Sequence, residues 1–212
     1  MRILVNGYFY GGNCPPFVYH LKKINADTKL TNSLSILDDF GVNLDFLSSD
    51  DLMPLRLNWL EQVIVKFFKK ARISLWKTIL VRKSEKIVKK YQPDIIINHK
   101  ASEKAEIMLR TGFRPQITYI YGGEVHGDQV LNEKLKYIFK ESTYIVTASN
   151  ELFLHIKSNI YYLQERLVTY PIGMFDYSVV LDYMSHKNKK DIREQYGFSE
   201  KDVVFIDSRS LR

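Results

Sequence analysis

The sequence predicts an α/β fold, a doubly wound parallel sheet of the Rossmann-like kind with helices on both faces. Three observations carry this expectation. Short, largely apolar runs recur at 2–6, 94–98, 116–121, 143–148 and 167–170. Most are apolar at successive rather than alternate positions, as strands buried on both faces must be. Segments with helical spacing of apolar residues lie between them, so strands and helices alternate along the chain.

Arg2-Ile3-Leu4-Val5-Asn6 opens the chain as a buried strand. Gly7 follows, with a loop rich in Gly, Pro and aromatic residues. Leu30, Leu34 and Leu37 fall at i, i+4 and i+7, with Asp27 or Thr28 placed as a cap and Gly41 just beyond. A helix is expected there, and 42–47 then alternates like a strand. From Trp59 to Tyr91 the residues Leu60, Ile64, Phe67, Ala71, Leu75 and Ile79 recur every three or four positions. Few globular helices are that long, so two are expected, ended by Pro93.

A strand at 94–98 comes next, then a helix over 101–111 closed by Gly112. A strand over 116–121 ends in Gly122-Gly123. A helix over 131–141, a strand over 143–148, a helix capped by Asn150 and a short strand at 167–170 complete this part. Beyond Pro171, 189–196 reads as a helix stopped by Gly197, and 203–206 as a new buried strand six residues before Arg212. A first domain over 1–176 and the opening elements of a truncated second domain over 177–212 are therefore expected. In open parallel sheets ligands bind beyond the carboxyl ends of the strands, so function is sought in the loops after Asn6, Asn98, Tyr121, Ala148 and Tyr170.

Composition narrows the class. Hydrophobic residues make up 45% and charged residues 26%, which suits a globular protein with a buried core. The single cysteine, Cys14, leaves no internal disulfide. Neither a zinc-type Cys/His cluster nor a membrane-spanning run is present, and the apolar start is too short for a signal peptide. A cytoplasmic protein with no metal and no cofactor is expected. The loop after the first strand lacks G-x-G-x-x-G, and the chain has no Walker A sequence.

The net charge of +7 is concentrated in one place. Ten Lys and Arg residues against one acid, Glu85, lie between Lys66 and Lys90, and the rest of the chain is close to neutral. A local anionic partner follows. With Phe67, Phe68 and Trp76 in the same amphipathic stretch, that partner is expected to be an anionic membrane surface. Peripheral contact on the inner face of the membrane is assigned to Lys66, Lys69, Lys70, Arg72, Lys77, Arg82 and Lys83. The alternative is a solvated basic face over an ordinary apolar stripe. Nucleic acid ranks well below lipid, since no recognition motif accompanies the charge.

The order of the motifs resembles the family 4 glycosyltransferases. The series runs through Gly11-Gly12 after the first strand and Asp94-Ile95-Ile96-Ile97-Asn98-His99. It continues with Tyr121-Gly122-Gly123-Glu124, Ile145-Val146-Thr147-Ala148-Ser149 and Pro171-Ile172-Gly173-Met174-Phe175-Asp176. It closes with Arg193-Glu194-Gln195-Tyr196-Gly197 before the strand at 203–206 and Ser208-Arg209. The resemblance implies the N-terminal half of a GT-B fold. It also implies transfer of a sugar from a nucleotide-sugar donor to a glycan or lipid-linked acceptor, with retention at the anomeric carbon. The donor is held mainly by the second domain in that family, so this chain alone is expected to be inactive.

On this reading Gly11 and Gly12 bring main-chain N–H groups to the donor phosphate. Glu124, His126 and His99 are the candidate catalytic residues, with positioning their main task. Tyr121, Gly122, Gly123, Ser149 and Asn150 line the acceptor site, with helix capping ranked first for Asn150. Two alternatives stand beside this one: half of a GT-B-like sugar-nucleotide epimerase, and a non-catalytic binding domain.

Overall fold

The computed structural model of the chain describes residues 1–7, 14–33, 47–71, 73–122, 125, 132–160, 163 and 165–170. In chain order the elements are β1 (Arg2–Asn6), α1 (Cys14–Lys23), β2 (Asp27–Thr31), a 3-10 turn (Ser49–Asp51), α2 (Trp59–Lys70), α3 (Leu75–Tyr91) and β3 (Ile95–Asn98). Then come α4 (Glu103–Leu109), β4 (Gln116–Ile120), α5 (Glu133–Glu141), β5 (Tyr144–Thr147), α6 (Asn150–Asn159) and β6 (Leu167–Thr169). The strands form one six-stranded sheet in the order β2-β1-β3-β4-β5-β6, and every pairing is parallel.

Alternate residues of each strand feed opposite faces. Ile3, Val5, Ile97, Tyr119 and Val146 pack with Cys14 and Val18 of α1. On the other face Leu4 and Ile96 meet Val88 and Tyr91 of α3 and Met108 of α4. Ile120, Ile145 and Leu167 meet apolar residues of α4, α5 and α6 on that same side, Phe139 and Ile156 among them. Helices cover both faces, which is the doubly wound arrangement the uninterrupted apolar runs called for.

The two expected helices between Trp59 and Tyr91 are present. Asn58 caps α2 through a reciprocal pair of 2.8 Å bonds with Glu61. Gln92 ends α3 in the left-handed region at φ 52°, just before Pro93. Gly112 closes the turn after α4 at φ 72°. These punctuation residues act as their chemistry requires.

Three local expectations differ. Residues 27–31 form strand β2 rather than a helix start. Thr28 and Leu30 are buried while Asp27 and Lys29 are not, which is a strand's alternation. The helical spacing of Leu30, Leu34 and Leu37 was coincidental at its first member; the other two, and 42–46, lie outside the described residues. Second, the Pro-containing stretch read as loop holds helix α1. Pro15 and Pro16 sit in its first turn, where a missing N–H costs nothing and the fixed φ favours the helix. Third, the cap of α6 is Ser149, whose Oγ accepts from the Leu152 N–H at 3.2 Å, and Asn150 is the first helical residue. Extended backbone at Ser149 aims its short hydroxyl at the open helix end.

All described residues belong to one compact unit, Met1–Ile172. The expected second domain, 177–212, lies outside the described residues.

Candidate active site

The sheet order fixes where a site can form. From β1 the chain crosses through α1 to β2 on one face, and from β3 it crosses through α4 to β4 on the other. The two crossovers part between β1 and β3, and in sheets of this kind ligands bind in a crevice beyond the carboxyl ends of such neighbours. This is the topological switch point of the sheet. The residues at that edge are Asn6-Gly7 and Asn98-His99.

Below the edge runs a ladder of buried amides. The Asn6 Nδ2 donates to Asn98 Oδ1 at 2.9 Å, and Asn98 Nδ2 donates to Gln116 Oε1 at 3.0 Å. The ladder ends where Gln116 Nε2 donates to the Met108 and Phe113 carbonyls. On its other side Asn6 Oδ1 accepts from the Ser33 N–H and shares the single Ser33 hydroxyl proton with the Lys104 carbonyl. Both Asn6 Nδ2 and Ser33 Oγ donate to the Lys104 carbonyl, at 3.0 and 2.9 Å. Three strand ends, the segment after β2 and the start of α4 are thereby locked together by neutral groups that satisfy one another. Each net bond is modest, but leaving any of these groups without its partner is costly.

His99 lies one residue further, on the opposite face. Its N–H donates to the Asn6 carbonyl at 3.0 Å. Its ring sits between aromatic neighbours, with Phe17 of α1 at 5.1 Å, Tyr121 at 5.3 Å and Tyr119 at 6.2 Å between centroids. The Tyr121 hydroxyl lies 2.8 Å from Nε2 and 3.1 Å from Nδ1, the shorter contact being the phenol's bond to the ring. Burial holds the His99 pKa down at about 4, although a bond with its own main chain pulls the other way. The imidazole is neutral at pH 7 and forms an uncharged hydrogen-bonded pair with Tyr121, the tautomer setting which of the two donates.

Gly7 makes this arrangement possible. A Cβ there would stand 2.2 Å from the Cys14 Sγ and 3.3 Å from the His99 Cβ, so only glycine lets α1 start against the end of β1. Gly122 follows Tyr121 with φ 115°, a conformation that also needs glycine.

The structure thus brings His99, Tyr121 and Gly122 together at adjacent strand ends. Ser149 and Asn150 stand one strand over, at the end of β5, where Ser149 is engaged as the α6 cap. Gly11, Gly12, Gly123, Glu124 and His126 lie outside the described residues, as does Arg72. The remaining cationic residues singled out in the sequence sit on the α2–α3 hairpin. Of these, Lys69 is 3.9 Å from Glu103, Lys77 is 2.7 Å from Glu106 and Lys83 is 2.7 Å from Glu61. Burial raises the Glu106 carboxyl, but hydrogen bonds from Lys77 and Arg110 outweigh it and hold the pKa below the ordinary value. Lys66, Lys70 and Arg82 are exposed and make no ion pair among the described residues.

Sequence reasoning missed the amide ladder, Phe17 and the Gly7–Cys14 contact. The signal for the ladder was present: two apolar strands, β1 and β3, both close on Asn. Among the described residues no group of three His, Cys, Asp or Glu could hold a metal ion.

No family model matches the chain, and neither does any curated protein. Solved structures do match. The UDP-GlcNAc 2-epimerase of Methanocaldococcus jannaschii superposes with a TM-score of 0.52 at 11% identity, over 92% of this chain and 52% of that one. UDP-N-acetylglucosamine 2-epimerase from Rickettsia bellii gives 0.55 at 12% identity, over 93% and 51%. The UDP-GlcNAc 2-epimerase of Neisseria meningitidis, in a structure bound to UDP-GlcNAc, gives 0.52 at 12% identity, over 92% and 53%. The fold is one half of a GT-B architecture. At such identity the likeness carries the fold alone, and the chain spans about half the length of each of these proteins. The resemblance drawn from the motif series narrows accordingly, to the GT-B architecture rather than to family 4.

Proposed function

We propose that this chain is the half of a nucleotide-sugar enzyme that shapes the sugar side of the active site, with the sugar-nucleotide epimerase reading ahead of the transferase. One observation carries the order of the two. Three of the matched structures are UDP-GlcNAc 2-epimerases, and each covers more than nine-tenths of this chain. The substrate class is then a UDP-linked N-acetylhexosamine, and the reaction inverts the stereocentre at sugar C2.

The switch-point crevice suits such a ligand. Its described rim is neutral and rich in hydrogen-bonding groups, with Tyr121 presenting a phenol oriented by His99. A neutral His99 leaves the phenol as a donor or acceptor toward a sugar hydroxyl without adding a charge. Gly11 and Gly12 follow β1 in the chain and fit contact with the diphosphate, the role small residues fill elsewhere. Glu124 and His126 follow β4 and are of the right types to take and return a proton. Ser149 and Asn150 complete the rim, with Ser149 also holding α6.

The retaining transferase remains the second reading, favoured by the motif order from Gly11-Gly12 through Arg193-Glu194-Gln195-Tyr196-Gly197. Proton NMR of UDP-GlcNAc incubated with the chain, alone and joined to a donor-binding second half, separates the readings. Appearance of the C2 epimer supports the first. UDP release only when a sugar or glycolipid acceptor is added supports the second. Saturable binding with neither product, even when the donor-binding half is supplied, overturns both in favour of a binding domain.

A further inference from the structure

Helix α2 carries apolar residues on its outward side as well as on the side that meets the core, where Val65 is buried and Phe68 half-buried. Val65 is its buried residue, at 1% exposure, and it packs against Trp76 and Leu80 of α3. The cap on Asn58 and the 2.7 Å Glu61–Lys83 ion pair fix the helix in that rotation. At about 100° per residue, Trp59, Leu60, Val63, Lys66, Phe67 and Lys70 then share one arc roughly 120° wide, almost opposite Val65. All six are exposed, with Trp59 at 76%, Phe67 at 64% and Leu60 at 58%. An ordinary surface helix keeps its outward side polar, with apolar residues confined to the core side. Exposed apolar residues gathered on one face mark an interaction surface.

We propose that this outward arc of α2 is a membrane-docking face, with an anionic lipid bilayer as its occupant. Charge selects the occupant. Lys66 and Lys70 lie within the arc itself, and neither has an ion-pair partner among the described residues. Their aliphatic stems can lie along the apolar stripe while the ammonium groups reach lipid phosphates. The surrounding segment, 66–90, carries ten bases against one acid, which adds attraction to an anionic leaflet. A second copy of the chain fits poorly. A twofold contact through this arc would set Lys66 and Lys70 against the same cations, while Glu61, the acid of α2, is committed to Lys83. The arc is also a convex helix surface rather than a groove. The docking face is separate from the crevice and stands whether the enzyme is an epimerase or a transferase.

The test uses the whole chain with extruded vesicles of phosphatidylcholine alone and of phosphatidylcholine with phosphatidylglycerol at low salt. Binding is expected only to the anionic vesicles, and it should weaken at high salt. Trp59 should shift its emission to the blue on binding, while Trp76, already buried, should not. Lys66→Glu with Lys70→Glu should lower the partition coefficient about thirtyfold or more. Lys89→Glu with Lys90→Glu makes the same charge change on a different helix and should cost far less. Val63→Ser with Phe67→Ser should also abolish tight binding while circular dichroism stays unchanged. The proposal is overturned by absence of binding to anionic vesicles at low salt. Equal losses from the two charge-reversal pairs would overturn it too, since general basicity would then explain the binding. A dimer in sedimentation equilibrium that Phe67→Ser dissolves would assign the face to a second copy and overturn the lipid.

Discussion

The crevice between β1 and β3 and the outer arc of α2 are opposites in construction. At the crevice, polar side chains that could face water are buried and satisfy one another: Asn6, Asn98 and Gln116 are each at most 2% exposed. On α2, apolar side chains that could be buried face outward, and Lys66 and Lys70 beside them have no ion-pair partner among the described residues. Beneath the first region the polar groups are already paired with one another. The second is open, and its chemistry is completed by something outside the chain. Fold stability and function should therefore separate. Substitutions at the crevice should destabilise the protein, and substitutions on the arc should leave stability alone.

The largest effect is expected from Asn98→Leu. It removes the acceptor for Asn6 Nδ2 and the donor to Gln116 Oε1 in a fully buried place. Unfolding in urea should show a loss of about 3 kcal/mol with an unchanged m-value. A loss under about 1 kcal/mol would mean that the ladder contributes little to the fold.

The pH dependence comes next. The folded His99 pKa lies at about 4, below the ordinary imidazole value near 6.5, because burial opposes the charged form. The unfolded chain therefore binds a proton that the native ring refuses. The stability held by the neutral ring is complete above about pH 6.5 and is lost as pH falls toward 4, to a total of order 3 kcal/mol. Carboxylates also titrate in acid, so the readout is the difference between the wild type and His99→Phe across that window. The slope difference should vanish above pH 7.

Gly7→Ala should cost about 2 kcal/mol, because the new methyl must displace the buried Cys14 sulfur. Adding Cys14→Ala should recover part of that loss, a coupling readable from a double-mutant cycle. The smallest effect is expected from Val63→Ser with Phe67→Ser, which should change stability by less than about 0.5 kcal/mol. A large loss there would show that the arc supports the fold and would erase the contrast between the two regions.

The sheet was legible because β1, β3 and β5 are apolar at nearly every position, and no other common architecture needs that. The α2–α3 pair was legible from its periodicity, its length and Pro93. Strand β2 was not, because Asp-Thr-Lys-Leu-Thr is short, polar at four of its five places, and followed by leucines at helical spacing. Its identity comes from pairing with β1, a contact between distant residues. Helix α1 was hidden by Pro15 and Pro16, which break a helix in its interior but suit its first turn. Of the site, His99 and Tyr121 could be singled out as residues following apolar strands. Their hydrogen bond could not, since it depends on the register of β3 against β4. The apolar periodicity of α2 was plain in the sequence, but which way it faced was decided by the α3 partners of Val65.

The most direct test of the central claim, that the switch-point crevice receives a nucleotide sugar, is an NMR titration of the isotope-labelled chain with UDP-GlcNAc. The amides of Gly7, His99, Tyr121 and Gly122 should shift in a saturable way, and those of the α2 arc should stay still. The account is contradicted if these four remain unmoved up to about 10 mM ligand, a range that captures even millimolar affinity, or if the saturable shifts map to the α2–α3 hairpin instead.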